Sequence, residues 1–382
     1  MSLAEKRARV RDYQSQGLRL RDALEAFALT RHQYYHQPAL GVDGSPSRPG
    51  VAASTPTDHF DESGMCTQRE NAEVVQQIEA IQEDDDLRCG YKRMTAQLEL
   101  RGYRINRKKV YRLMKQHELL LSRANREGGP YVTHRCAQPA EPLRLFEMDI
   151  KMFWVEEHRR YAFVLTVLDT FTRVALDWQL GYSMKWTQVR ATWERIIEEQ
   201  LQEADLLAEG IEIEIRSDNG PQFLATKLRE FFVDNHLDQV FTHPYTPQEN
   251  GYVESFHSIL SRATRGDTFW TLQQLEQRLT IFYEKYNNSR VHTATALLPP
   301  RLFWEAWQQD QVVSSQDKRG RTIFKLKQPG YLLSGNLKQE AASRLSADRL
   351  EADLRVENEV NGPVTNPQPQ QSVKPSPSAA SR

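Results

Sequence analysis

The chain has 382 residues, 39% of them hydrophobic, which is enough for two or three domains with globular cores. Mean hydropathy is negative, and no apolar run reaches the roughly eighteen residues of a membrane span, which argues against a membrane protein. A net charge of −1 argues weakly against a nucleic-acid partner, so the decision falls to how the charge is distributed.

The opening MSLAEKRARVRDYQ has no apolar core of the secretory-signal type. The three cysteines, Cys66, Cys89 and Cys136, are odd in number and widely spaced, which suits a reducing cytoplasm. His134 and Cys136 lie close together, but no second pair accompanies them, so a zinc module is not expected.

Residues 1–38 read as a helix-turn-helix-like module. LAEKRARVRDYQ ends at Gly17, LRLRDALEAFAL follows, and Thr30 caps a third short helix, RHQYYH. Arg31, His32, Gln33 and Tyr34 then open its recognition helix. A plain three-helix bundle with surface arginines would carry the same pattern. Residues 39–66, rich in Gly, Pro, Ser, Thr and Asp, read as a linker.

Residues 67–122 form a second helical unit. Val74, Val75, Ile78 and Ile81 mark one amphipathic helix, closed by the acids Glu83 to Asp86. The sign then reverses: Arg88 to Arg126 holds twelve Lys or Arg against two acids. Asn106 is a good N-cap, and Val110, Leu113 and Met114 give the next helix an apolar stripe. Arg107, Lys108, Lys109, Arg112 and Lys115 occupy its other faces and are candidate phosphate contacts in double-stranded DNA. Solvated charged helices normally mix signs, and this one does not.

After a linker at 123–143, residues 144–310 read as an α/β domain. Phe146, Met148, Ile150 and Met152 alternate with Glu147, Asp149 and Lys151, a strand periodicity that puts Asp149 opposite the methionines. An acid there suits a metal ligand or, more simply, an edge strand. Tyr161–Leu168 and Arg173–Leu180 supply two more strands in a meander, joined by an Asp169-Thr170-Phe171 turn. A helix (Trp186–Leu207), a strand over 211–216, a helix (Phe223–His236) and a short strand (Asp238–Phe241) follow. Three antiparallel strands and then alternating helices and strands is the layout of an RNase H-like fold, here a mixed five-stranded sheet with helices, preceded by all-α helix-turn-helix modules. Asp169 and Asp177 lie in the same sheet and are expected to be structural.

Asp218 stands where the 211–216 strand ends, and Asn219-Gly220-Pro221 turns the chain away. Separated from it by thirty-five residues, Glu254 lies near the start of an amphipathic helix marked by Val253, Phe256, Ile259 and Leu260. Carboxylates at a strand end and on a helix can converge, with Asp149, on a divalent cation that needs hard oxygen ligands. The long helix TFWTLQQLEQRLTIFYEKYNN carries an aromatic stripe suited to a core, and residues 311–337 form a small extension with a strand pair. Residues 338–382 are polar, with too little apolar content to fold.

Asp149 in FEMDI, Asp218 in SDNGPQF and Glu254 in HPYTPQENGYVESF together resemble the DDE transposases and retroviral-type integrases, specifically the OrfB-type protein of bacterial insertion sequences. The resemblance runs from about residue 67 to 307 and includes the basic helix-turn-helix and the NNSRVHTATALLPPRLF stretch. Phe146 stands where the family usually has Trp, Lys151 where it has Thr, and Ser261 where it has Lys or Arg, although Arg262 follows.

The resemblance implies an enzyme that hydrolyses a phosphodiester and transfers a DNA strand. Asp149, Asp218 and Glu254 would hold two Mg²⁺ ions, with Mn²⁺ able to substitute. Water would free a 3′-hydroxyl at the element end, and that hydroxyl would attack another strand. Asn219, Asn250, His257 and Arg262 are candidate DNA contacts, and His243–Asn250 would line the site. Implied partners are the element's terminal inverted repeats, target DNA, further copies of the chain on DNA and an upstream-frame helix-turn-helix protein. The expected place is the bacterial cytoplasm, at the nucleoid. A plain RNase H-like nuclease would keep the acids but has little use for two sequence-reading modules. A non-catalytic DNA-binding relic has no reason to keep all three acids.

Overall fold

The computed structural model describes residues 1, 3–35, 56–61, 63–122, 139–207, 211–243, 250–317 and 320–333. The chain divides into two compact units, Met1–Thr55 and Pro56–Arg382.

The first unit holds α1 (Leu3–Ser15), α2 (Leu20–Ala26) and α3 (Arg31–Tyr35) around Val10, Ala23, Leu24 and Leu29. Gly17 has φ +93°, a left-handed conformation that lets the chain reverse after α1. Thr30 Oγ1 accepts from Gln33 N at 3.1 Å while Gln33 Oε1 accepts from Thr30 N at 2.9 Å, a reciprocal cap that starts α3. Of the four residues expected to open a recognition helix, Tyr34 donates its hydroxyl to Gln14, Gln33 serves the cap and Arg31 is exposed. The side chain of His32 lies outside the described set.

The second unit opens with a hairpin where the sequence suggests linker: β1 (Thr57–Phe60) pairs with β2 (Cys66–Arg69) and also with β3 (Tyr103–Arg104). Asp61, Ser63, Gly64 and Met65, from the stretch that reads as linker, make the hairpin's turn, while residues 39–55 of that stretch lie outside the described set. The Asp61 carboxylate accepts from Ser63 N and Met65 N, and Gly64 takes φ +81°. Behind this small sheet pack α4 (Asn71–Glu83), α5 (Tyr91–Leu100) and α6 (Arg107–Gln116), sharing Val74, Ile78, Met94, Leu98, Val110 and Met114 as core. Asn106 caps α6 by accepting from Lys108 N at 2.8 Å.

The five-stranded sheet has the order β6-β5-β4-β7-β8. Its strands are β4 (Leu145–Val155), β5 (Arg160–Asp169), β6 (Ala175–Gly181), β7 (Glu214–Ser217) and β8 (Asp238–Phe241). The first three pair antiparallel, whereas β4–β7 and β7–β8 are parallel, so the sheet is mixed. This is the RNase H-like arrangement. The edge-strand reading of Asp149 fails, because β4 is the central strand and both its faces are covered.

On one face Phe146 and Met148 pack against Trp193 of α7 (Trp186–Ile196), with Phe232 of α8 (Thr226–Asp234) beyond. On the other, Phe153 and Val155 join Phe256 and Leu260 of α9 (Gly251–Ala263) and Phe282 and Tyr286 of α10 (Leu272–Asn288). The aromatic stripe of α10 is therefore core. The helix expected over 186–207 ends as α-helix at Ile196 and continues as a π-helical turn, Ile197–Leu201. The strand expected over 211–216 instead spans Glu214–Ser217, which puts Asp218 one residue past its end.

After α11 (Pro300–Gln308), β9 (Val312–Gln316) and β10 (Thr322–Leu326) form the expected strand pair. Asp169 is fully buried and accepts from Leu143 N and Thr172 N, and Asp177 pairs with Arg195 at 2.7 Å. Both acids thus have partners inside the fold. The 338–382 tail lies outside the described residues, as do 123–138 of the second linker.

Candidate active site

Three elements carry the candidate acids. Parallel pairing matches Phe146 with Ile215 and Glu147 with Arg216. Carrying that register on by two residues brings Asp149 beside Asp218, where β7 has ended and the chain is free to turn. Asp218 Oδ1 accepts from Gly220 N at 2.9 Å, and Asn219 Nδ2 donates to Thr242 O at 2.9 Å, tying the turn to the end of β8. Glu254 comes from above the sheet, in the first turn of α9.

Asp149 is the electrostatic hub. Burial pushes the Asp218 carboxyl above its ordinary range, opposed by the Gly220 hydrogen bond, and the charge of Asp149 pushes it further. Burial likewise raises Glu254, again with Asp149 adding to the shift, while His257 opposes it. The structure therefore brings Asp218 and Glu254 each within electrostatic reach of Asp149. Among the described residues no three His, Cys, Asp or Glu side chains close into a metal cage. Like charges repel, and the oxygens of Asp149 have other partners: Oδ1 accepts from Ile150 N at 2.7 Å and Oδ2 meets His257 Nδ1 at 3.2 Å. A set of carboxylates in which the charge of Asp149 raises both Asp218 and Glu254 is one that a hard divalent cation would relieve, so the residues fit such an ion.

Several candidate DNA contacts take other positions. His257 is buried, with its ring against Asp149, and Asn250 is buried at the N-cap of α9. Both belong to the packing around the acids and do not offer a surface. Asn219 is exposed but spends its amide on Thr242, and Arg262 Nε donates to Ser258 O. Of the His243–Asn250 loop, residues 244–249 lie outside the described set.

On α6, Arg107, Lys108 and Lys115 are exposed and Arg112 is half-buried. Lys109 is half-buried too, and its Nζ donates to Thr57 Oγ1 at 2.7 Å. The module that carries this helix is held against the catalytic domain by its other elements. Arg278 of α10 makes a bidentate pair with Asp86, Lys285 meets Asp84 at 2.7 Å, and Gln97 Nε2 donates to Ser289 O at 2.7 Å.

Sequence reasoning passes over Glu147. It lies two residues before Asp149 on the same face of β4, is 1% exposed, and its Oε2 accepts from Tyr252 N at 2.9 Å and Val253 N at 2.8 Å. Burial pushes its carboxyl up to about 7 against the pull of those two bonds and of Arg173 and Arg216. The alternation Glu147, Asp149 is visible in the sequence, but the helix above them is not.

The comparisons agree with this architecture. An integrase core domain model matches residues 139–247, another integrase core domain model matches 235–300, and an HTH-like domain model matches 68–127. The chain is similar to the insertion element IS407 uncharacterized 31.7 kDa protein of Burkholderia multivorans, 26% identical over 218 residues, 56% of this chain and 75% of that protein. It is also similar to the putative transposase InsK for insertion sequence element IS150 of Escherichia coli, 24% identical over 240 residues, 60% of this chain and 82% of that protein. Among solved structures, the catalytic core domain of BIV integrase aligns at 19% identity with a TM-score of 0.32, over 44% of this chain and 97% of that one.

Proposed function

We propose that this chain is an insertion-sequence transposase with an integrase core and that it joins element ends to another DNA strand at a site made by Asp149, Asp218 and Glu254. The observation that carries the site is geometric: the β4–β7 register sets Asp149 beside Asp218, and His257, one turn along α9 from Glu254, meets Asp149 Oδ2 at 3.2 Å.

Asp149, Asp218 and Glu254 would hold two Mg²⁺ ions, which when bound would supply charge neutralisation and an activated oxygen at a phosphodiester. The chain's own part is to hold these oxygens. The Gly220 bond orients Asp218, His257 steadies Asp149, and the first turn of α9 presents Glu254. The attacking oxygen is water in the first step, which leaves a 3′-hydroxyl, and that hydroxyl in the second. Arg107, Lys108 and Lys115 on α6 bind DNA phosphates, and the Asp86–Arg278 pair fixes their distance from the acids. Terminal repeats and target DNA are the proposed partners, in the cytoplasm at the nucleoid, with further copies of the chain assembled on them.

The test supplies labelled, pre-cleaved element ends with an unlabelled target plasmid and Mg²⁺. Joined product is expected. Cut product alone would make the chain a nuclease, and a bound complex without either would make it a DNA-binding relic.

A further inference from the structure

Helix α9 begins without the usual help. Its N-cap residue, Asn250, makes no side-chain bond to the first turn, yet the leading N–H groups of a helix need acceptors. Glu147 takes that role from outside the helix: one carboxylate oxygen receives both Tyr252 N and Val253 N. The anchor is reinforced from the side, where the Arg173 guanidinium stacks 3.6 Å from the Tyr252 ring centre. The other Glu147 oxygen is buried and has no hydrogen-bond partner among the described residues. A buried carboxylate left half satisfied is costly, and simple helix stabilisation does not call for one, since a serine or aspartate at position 250 would serve.

Spacing gives it a purpose. Glu147 and Asp149 are two residues apart on one strand face, about 6.6 Å. Val253 and His257 are four residues apart on α9, about 6 Å along its axis. Strand and helix are thus tied at two rungs of matching length, Glu147 to the Tyr252 and Val253 amides and Asp149 to His257. Glu254 lies between the rungs.

We propose that Glu147 is a positioning residue that clamps the first turn of α9 to β4 and so sets where the Glu254 carboxylate stands relative to Asp149. The proposal rests on the reading of Glu254 as a catalytic acid. It differs from that reading in its test, because the clamp can be read without turnover.

Two variants of the full chain separate acceptor from bulk. Glu147→Met keeps the volume but removes the acceptor, and replacing a buried charge by an apolar side chain is compatible with folding. Glu147→Gln keeps an acceptor oxygen and loses the charge. Hydrogen exchange of the peptide over 250–256, measured without metal, should speed up at least tenfold in Glu147→Met and stay within threefold of the parent in Glu147→Gln. Joining of pre-cleaved ends should fall about 30-fold in Glu147→Met, with the Mg²⁺ needed for half-maximal joining raised and DNA affinity and Tm held. Glu147→Gln should rescue joining to within about fivefold. Unchanged exchange in Glu147→Met would overturn the clamp. Faster exchange with joining within threefold of the parent would overturn its positioning role. Failure of the Glu254 assignment appears separately, as joining that survives Glu254→Gln while the exchange result still decides the clamp.

Discussion

Both carboxylate oxygens of Asp86 are engaged by the guanidinium of Arg278, at 2.7 and 3.2 Å, across 192 positions of sequence. Asp86 is buried, and its backbone carbonyl also accepts from Arg290. The pair joins the turn after α4, in the DNA-binding module, to the middle of α10, in the catalytic domain. Asp86→Ala would leave Arg278 half-buried without its main partner, so it should cost about 3 kcal/mol of unfolding free energy. In the Asp86→Ala, Arg278→Met double variant much of that loss should return. Denaturant titration of the set checks this, and a loss below about 1 kcal/mol in Asp86→Ala would count against the pair as the interdomain tie.

The cations of α6 are not equivalent. Removing one cation that neutralises a DNA phosphate should flatten the dependence of log K on log salt by about 0.9. Replacing the exposed Arg107, Lys108 and Lys115 by Ala should therefore flatten it by roughly 2–3. Lys109→Ala alone should change it little, because that ammonium is turned to Thr57. Salt titrations of DNA binding compare the two, and equal effects would mean that Lys109 leaves Thr57 to reach the DNA.

His292 makes stability depend on pH. It is buried beside Tyr286, with ring centres 4.8 Å apart, and burial together with Arg290, Arg93 and Arg173 pushes its imidazole down to about 3. The unfolded chain takes up the proton near pH 6.5 and the folded chain does not. The stability from this site is complete above about pH 6.5 and is lost as the pH falls toward 3. Between pH 6.5 and 4.5 the parent should lose about 2 kcal/mol more than His292→Gln. Parallel pH profiles for the two proteins would contradict this.

Metal replacement probes the donor set. Chelation should abolish joining and leave binding to DNA ends intact. Mg²⁺ or Mn²⁺ should restore it, and Ca²⁺ should not, since its looser coordination relaxes the geometry that the reaction requires. Joining in Ca²⁺ at a rate within tenfold of Mg²⁺ would argue against this carboxylate arrangement.

Much of this is legible from periodicity. The alternation through Phe146–Met152 and the helical spacing of Val253, Phe256 and Leu260 give a strand and a helix whatever surrounds them, and the Asp238–Phe241 strand has the bounds expected. The hairpin at 57–69 is hidden because Asp61, Ser63 and Gly64 make a tight turn with the residues that also make a linker. His257 reads as a DNA contact in the sequence because a polar residue on a helix usually faces outward. It lies three residues after Glu254, on the same side of the helix, and that spacing is the available clue to its place against Asp149. Glu147 and Arg278 depend on partners more than a hundred residues away, a distance at which local pattern carries no information.

The central claim is that Asp149, Asp218 and Glu254 act as one site. Its most direct measurement is the joining of pre-cleaved ends by Asp149→Asn, Asp218→Asn and Glu254→Gln, with DNA affinity recorded for each variant. Joining is predicted to fall at least a thousandfold in all three, with affinity for the ends within about threefold of the parent. Joining within tenfold of the parent in any one of them would contradict the account.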